Sequence, residues 1–420
     1  MQKLLYIILK TILAITFIFS GFVKAVEPMG TAIKFDEYFL AFNLESLTFL
    51  SPFLSIILPA FELLLGMLLL VNIYKKTVGF LTLLFMSFFT ILTCFIYVFD
   101  PVSDCGCFGD AFIISNGQTL VKNVILLAMA LYVCFVNMGM GRRNRSDVYV
   151  CYVSNLSGSR KRSDFKYFIL LMVFSLLNPI YAYVFHPVIE FLPYKIGINI
   201  NELTEFKASD TVQEPLMLYK NKETLETQTF KLTDTEWQDT LKWEFIELVD
   251  NVQNDDIVSF DVIDEYGVNI ARTMLYDSDT TIFIVSRNIF NLENHIPKIH
   301  EIRVATKNKY SVAVLTTSNI RDGNLMLSRS SVRGVSVYNM DETMIKSLVR
   351  AEVGVVAIGG ATVLSKNNIV TMPTIDDLGD FRSLFSWQSI QKVVYIIINV
   401  LILGLIYVFL LINRYKHEKD

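Results

Sequence analysis

The chain is 420 residues long, 53% hydrophobic and 19% charged, with a formal net charge of −4 and a mean hydropathy of +0.45. That apolar share exceeds what one soluble core needs. No stretch combines basic residues with interleaved aromatics on a polar surface, which excludes a nucleic-acid-binding face.

The excess is gathered into runs. Six are long enough to cross about 30 Å of hydrocarbon, which takes about 20 residues: residues 4–23, 52–71, 78–99, 120–138, 168–188 and 393–411. The first has Lys3 before it and small residues near its end, as a signal peptide would. Its apolar core is too long for one and no small-x-small cleavage site stands out, so it reads as a span ending Phe19-Ser20-Gly21-Phe22-Val23-Lys24. The outer loop over residues 27–44 carries Phe35, Tyr38, Phe39 and Phe42 at helical spacing. It reads as a short helix along the membrane interface with aromatic anchors.

The second run contains Glu62 near mid-membrane, where an ionisable group is costly and normally faces a partner inside the bundle. Lys10, at roughly matching depth, is the expected partner, with Thr11 and Thr16 as donors. A proton or quinone role for Glu62 is the alternative.

The third run leads into Asp104-Cys105-Gly106-Cys107-Phe108-Gly109-Asp110. Linking two cysteines one residue apart closes a very small ring and needs a bent backbone, which Gly106 permits because it has no Cβ. A bridge held off its preferred geometry is more readily reduced, and reducible bridges tend to be regulatory or catalytic. The stretch therefore reads as a thiol–disulfide exchange site. Exchange needs a thiolate. Asp104 and Asp110 oppose one by like-charge repulsion, and no cation adjoins the pair in sequence, so Lys24 or Lys34 would have to offset them. A metal site is disfavoured, since structural sites normally show four ligands including histidine and His186, His295, His300 and His417 are scattered. Cys94 and Cys134 fall inside spans and read as small core residues; Cys151 falls in a basic linker.

Loop charges set the orientation. Lys75 and Lys76, the cluster from Arg142 to Lys166, and Arg414, Lys416 and Lys419 belong inside, so both termini are cytoplasmic. The cysteine loop and everything between the fifth and sixth spans then lie outside, where disulfides persist. The expected organisation is a four-helix bundle over residues 1–140, a basic cytoplasmic linker over 141–166, a fifth span over 167–188, a charged segment with a β-hairpin over 189–255, an α/β domain over 256–385 and a sixth span over 389–413. In the outer part, residues 217–219 and 227–232 read as the hairpin. Residues 281–286, 310–315 and 334–338 read as strands, 291–307 and 341–350 as helices, and 353–358 with 361–364 as a second hairpin. That order looks like a thioredoxin fold. The position of that family's redox pair reads Ser286-Arg287-Asn288-Ile289-Phe290, and no cysteine follows Cys151.

Residues 1–140 resemble the DoxX/MauE-like family of bacterial redox-associated membrane proteins. The resemblance rests on Phe19 to Lys24, on Phe61-Glu62-Leu63-Leu64-Leu65-Gly66 and above all on the cysteine loop. It implies a bacterial inner-membrane location and a four-helix bundle of the general kind used by quinone-linked thiol oxidases, with a quinone as the one cofactor in view. The chain departs from those oxidases in lacking a second extracytoplasmic cysteine pair.

Two readings follow. In the first, Cys105 and Cys107 exchange disulfides with a periplasmic partner, supported by Gly106, Asp104, Asp110, Glu62 and Lys24; Cys107→Ser is then expected to trap a mixed disulfide through Cys105. In the second, the pair is a staple and the protein is a non-enzymatic, membrane-anchored scaffold whose outer domain holds a partner.

Overall fold

The computed structural model describes residues 2–102, 104–112, 114–139, 158–185, 189–203, 216–222, 227–231, 237, 239, 242–249, 260–276, 280–306, 309–330, 332–372, 390–401 and 404. Its first part is helical: α1 (Gln2–Val26), α2 (Pro28–Ala41), α3 (Ser51–Val71), α4 (Lys75–Phe99), α5 (Asn116–Met138) and α6 (Gly158–Val184). Local chemistry sets several ends. Prolines open α2 and α3, and Asn72 closes α3 at φ 68, the left-handed conformation that asparagine tolerates. Ser115 and Gln118 form a reciprocal capping box at the start of α5.

Five of the described helices are long and apolar enough to cross a membrane, and Leu4, Phe88 and Ile91 are among many large side chains left exposed on their flanks. The protein is thus a multi-pass membrane protein in its helical part. Of the sixth run, the helix Ile390–Leu401 is described; the remainder of 393–411, apart from residue 404, lies outside the described residues, as do Cys151 and residues 140–157. α6, the helix of the fifth span, begins at Gly158, inside the range expected as linker.

The bundle packs most closely where α1 meets α3. A Cβ on Gly21 would lie 2.5 Å from the Leu63 nitrogen, and one on Gly66 2.7 Å from the Ile18 nitrogen. Glycine is used here for close helix approach. One expectation is corrected. Cys94 is exposed on the flank of α4 rather than in the core, whereas Cys134 is buried. The short helix expected over residues 27–44 forms as α2, and Pro28, Gly30, Thr31, Ala32 and Ile33 in its first turns are buried.

The part that follows α6 holds two sheets. A small one, ordered β2-β1-β3, is built from β1 (Leu216–Asn221), β2 (Thr227–Lys231) and β3 (Trp243–Val249). Tyr219, Phe230 and Trp243 form its core.

The larger sheet is ordered β6-β5-β4-β7-β8. Its elements run α7 (Ala271–Tyr276), β4 (Thr281–Ser286), α8 (Ile296–Ala305), β5 (Ser311–Thr316), α9 (Ile320–Arg329), β6 (Ser336–Asn339), α10 (Glu342–Leu348), β7 (Val353–Gly359) and β8 (Thr362–Asn368). β4, β5 and β6 are parallel; β7 and β8 return antiparallel. Every residue of β4 is buried, as a central strand covered on both faces requires, and separate apolar clusters lie on its two sides. The single helix expected over 291–307 is a 3-10 stretch, Ile289–His295, followed by α8 with Pro297 in its first turn.

The sheet domain sits on the same end of the bundle as the cysteine loop. Lys366 of β8 pairs with Glu190 at 3.1 Å, with the two side chains 1% and 4% exposed. The Phe191 N–H donates to Glu27 at 3.1 Å and the Asn368 amide donates to the Val184 carbonyl at 3.2 Å. Across the gap to α2, Arg287 lies 3.9 Å from Asp36 and Lys346 lies 3.7 Å from Glu37.

Candidate redox site

Four elements converge on the Asp104–Gly109 loop. α1 supplies Ser20 and Lys24 from one face, four residues apart and so stacked above each other. α3 supplies Glu62, α2 supplies Lys34 and Tyr38, and α5 supplies Lys122.

The loop turns back on itself at Gly106, whose φ is +62, and again at Gly109, whose φ is +54. The Gly109 N–H donates to the Gly106 carbonyl at 3.0 Å, and the Gly106 N–H donates to Asp104 at 2.8 Å. This bend brings the two free thiols together: the Cys105 and Cys107 sulfurs are 3.2 Å apart. The tight glycine bend read from the spacing is therefore what folds.

The loop is held from both sides. The Tyr38 hydroxyl donates to the Cys105 carbonyl and the Ser20 hydroxyl to the Cys107 carbonyl, each at 2.8 Å. Lys34 bonds Asp104 at 2.8 Å and Glu37 at 2.9 Å, so the carboxylate beside the pair is neutralised from α2. Lys24 reaches both oxygens of Glu62, at 2.8 and 2.9 Å. The partner of Glu62 is thus Lys24. Lys10 instead lies 5.9 Å from the Tyr6 ring, and Thr16 bonds the Ile12 carbonyl of its own helix. α1 continues in helical register to Val26, which keeps Lys24 pointed at α3. Asp110 takes part in a single 3-10 turn, Gly109–Ala111; its side chain lies outside the described residues.

The environment splits the two thiols. The Cys107 thiol is pulled below its ordinary 9.0 to about 6, first by the hydrogen bond from Cys105, then by Lys122 and Lys24, against the opposing effects of burial and Glu62. The Cys105 thiol is pushed up, by its hydrogen bond to Cys107 and by burial. The opposing charge expected from the aspartates meets the cations named to offset it, Lys34 on Asp104 and Lys24 near the thiols, and a third, Lys122, that sequence adjacency could not show. Burial and the neighbouring Cys105 likewise push the Tyr38 phenol up, so it stays a donor.

Beneath the loop, a cleft of about 780 Å³ runs between the helices, lined by Phe17, Phe35, Phe39, Ile57, Phe61, Leu84, Phe85 and Phe88 among others, with Lys24, Glu62, Cys105, Cys107 and Lys122 at its polar end. Its volume is that of a small-molecule site, apolar with a few convergent polar groups. Ile57, Leu84 and Phe88 are exposed on the bundle flank, so its rim faces the region that lipid would occupy. Among the described residues, no group of three His, Cys, Asp or Glu is gathered as a metal site would need.

Sequence reasoning brought forward Cys105, Gly106, Cys107, Asp104, Glu62 and Lys24, and the fold gathers all six. It passed over Ser20 as a hydrogen-bonding group, treated Tyr38 as an anchor and missed Lys122. A lysine inside an apolar span is itself a signal, and it could have found Lys122.

Residues 2–136 match the family model described as methylamine utilisation protein MauE. No curated protein and no solved structure gives a significant match.

Proposed function

We propose, with the MauE-like bundle as the premise, that this chain is an inner-membrane thiol–disulfide redox protein that exchanges disulfides through Cys105 and Cys107. The observation that carries the reading is the loop itself: two free sulfurs 3.2 Å apart, one with a lowered and one with a raised pKa, at the polar end of an apolar cleft. A nucleophile made anionic near neutral pH beside a protonated resolving thiol is what exchange requires.

The partner in this reading is a periplasmic thiol or disulfide protein. The cationic loop charges support a topology with both termini in the cytoplasm and the sheet domain in the periplasm. A quinone fits the aromatic lining of the cleft, with Lys24 and Glu62 at the polar end to meet its oxygens; when bound it would accept two electrons and two protons from the dithiol.

The outer domain reads as thioredoxin-like. Parallel β4 and β5 joined through α8, with an antiparallel β7–β8 hairpin beside β4, support this, while α9 and β6 are additions. With Arg287 and Asn288 standing where that family carries its redox pair, the domain positions or binds and does no exchange.

A specific observation favours the scaffold alternative: Arg287 and Lys346 of this domain face Asp36 and Glu37 of α2, as a docked binding module would. Serine variants separate the two. The redox reading expects one of C105S and C107S to retain a covalently linked partner on non-reducing gels of membranes. If neither does, and the double variant only lowers thermal stability, the scaffold reading replaces it.

A further inference from the structure

Lys122 is a cation in the second turn of α5, within an apolar span, and no established role accounts for it. Among the described residues it makes no ion pair. Its Nζ lies 4.2 Å from the centroid of the Phe108 ring, a cation–π placement. That ring meets Phe19 edge-on at 5.6 Å. Phe108 follows Cys107 directly, so fixing the ammonium over the ring fixes it at the Cys107 end of the loop, and Lys122 lines the same cleft as Cys107. A lysine that merely snorkels carries its charge out to water; this one is half-buried and turned over an aromatic beside a thiol.

We propose that Lys122 is the positioning residue that makes Cys107 the attacking sulfur of the pair and leaves Cys105 to resolve, an assignment that rests on the redox role proposed above.

The other charges around Cys107 do not do this alone. Lys24 is engaged with both oxygens of Glu62, so its field is largely compensated. Lys34 is held between Asp104 and Glu37. Tyr38 is a neutral donor to the Cys105 carbonyl, and the side chain of Asp110 lies outside the described residues. Lys122 brings positive charge with no carboxylate attached to it. The Cys105 side agrees: that residue is 9% exposed, and its sulfur lies 3.2 Å from that of Cys107, where a protonated Cys105 thiol favours a thiolate at Cys107.

The exchange then balances without a further reagent. The Cys107 thiolate attacks one sulfur of a partner disulfide; the partner's S–S bond breaks, one partner sulfur leaves as thiolate and the other is joined to Cys107. Cys105 gives up its proton to the departing thiolate and attacks the Cys107 sulfur, releasing the second partner sulfur as a thiolate. The Cys105–Cys107 pair has lost two electrons and the partner disulfide has gained them. Run backwards, the same steps oxidise a partner dithiol.

The test uses the full chain, reduced, in nanodiscs, with iodoacetamide alkylation of each cysteine followed by mass spectrometry across pH. Cys107 is expected to react first, with a rate that half-titrates near pH 6. K122M is expected to move that midpoint upward and slow Cys107 alkylation at pH 6.5 by about tenfold, one pKa unit being a factor of ten. K122R, which keeps the charge, is expected to restore the wild-type profile. Preferential labelling of Cys105, or an unchanged midpoint in a K122M protein that melts like wild type, would overturn the assignment. If K122M fails to fold, K122R and K122Q are compared instead, and equal profiles overturn it.

Trapping keeps the two proposals apart. C105S, rather than the C107S expected from sequence, should hold the partner, on Cys107. A partner held only by C107S overturns the role of Lys122 and leaves the redox reading standing. A K122M shift with no partner held by either variant overturns the redox reading and leaves the thiolate assignment.

Discussion

Lys24 and Glu62 show what one residue contributes at this site. Both are nearly inaccessible, 6% and 4% exposed, and removing one partner of such a pair leaves an uncompensated buried charge. E62L or K24M alone is expected to destabilise by about 3–5 kcal/mol, read as a lowered melting temperature in detergent, while the double variant K24M/E62L recovers much of the loss. Absence of that recovery would mean that the two act independently. Gly106 offers a second check. At φ +62 an L-residue costs about 1–2 kcal/mol, and an added Cβ would also stand 3.2 Å from the Lys34 side chain. G106A is expected to lower stability by about that amount and to widen the sulfur spacing, seen as slower closure of the disulfide on oxidation. At this scale the cysteines and Gly106 were legible because their meaning lies in spacing along the chain. The Glu62 partner was not. Depth counted along a helix ignores where the neighbouring helix ends: α3 extends about 17 Å outward beyond Glu62 at 1.5 Å per residue, whereas α1 stops two residues after Lys24.

The elements divide by how strongly their sequence declares them. The membrane helices were readable because their apolar runs are long, and their packing surface was readable in part through Gly21 and Gly66. G21A is expected to cost about 1–3 kcal/mol by overpacking the α1–α3 contact, since the new methyl would press on the Leu63 backbone, which cannot give way as a side chain would. Differential scanning fluorimetry of G21A beside an alanine variant of exposed Gly404, where an added Cβ meets nothing within 4 Å, checks this, and equal melting of the two would refute it. β4 and β7 were legible for a related reason, runs of Val, Ile, Phe and Ala with few interruptions, whereas β8 was legible only at its start, before Ser365-Lys366-Asn367-Asn368. α9 and β3 were not. Ile320–Arg329 is short and mixed in character, with Asn319 as its N-cap and Asp322 in its first turn as the only strong signals. Trp243–Val249 interrupts its apolar pattern with Glu244 and Glu247, and its place beside β1 is set by partners 22 to 33 residues earlier, from Asn221↔Trp243 to Leu216↔Val249.

In the whole molecule, the sheet domain is fastened at two kinds of contact. Lys366 and Glu190 form a buried pair, which burial and the Glu190 carboxylate act on in opposite senses, with the Lys366 pKa lowered on balance by burial. K366M is expected to remove this pair and to loosen the domain, so that limited proteolysis releases the sheet domain several-fold faster while the bundle survives. Unchanged release would show that the hydrogen bonds from Phe191 and Asn368 suffice. The contacts of Arg287 and Lys346 with α2 are partly exposed and worth about 0–1 kcal/mol each, so they guide more than they hold. None of this was legible in the sequence, because Asp36 and Glu37 lie some 250 residues from Arg287 and no periodicity links them.

Pro28–Ala41 acts as a splint gripped on two faces, by Arg287 and Lys346 above and, through Lys34 and Tyr38, by the sulfur loop below. A splint of this kind cannot tilt on one side alone. A displacement of that helix is therefore felt both by the sheet domain and by the sulfur loop.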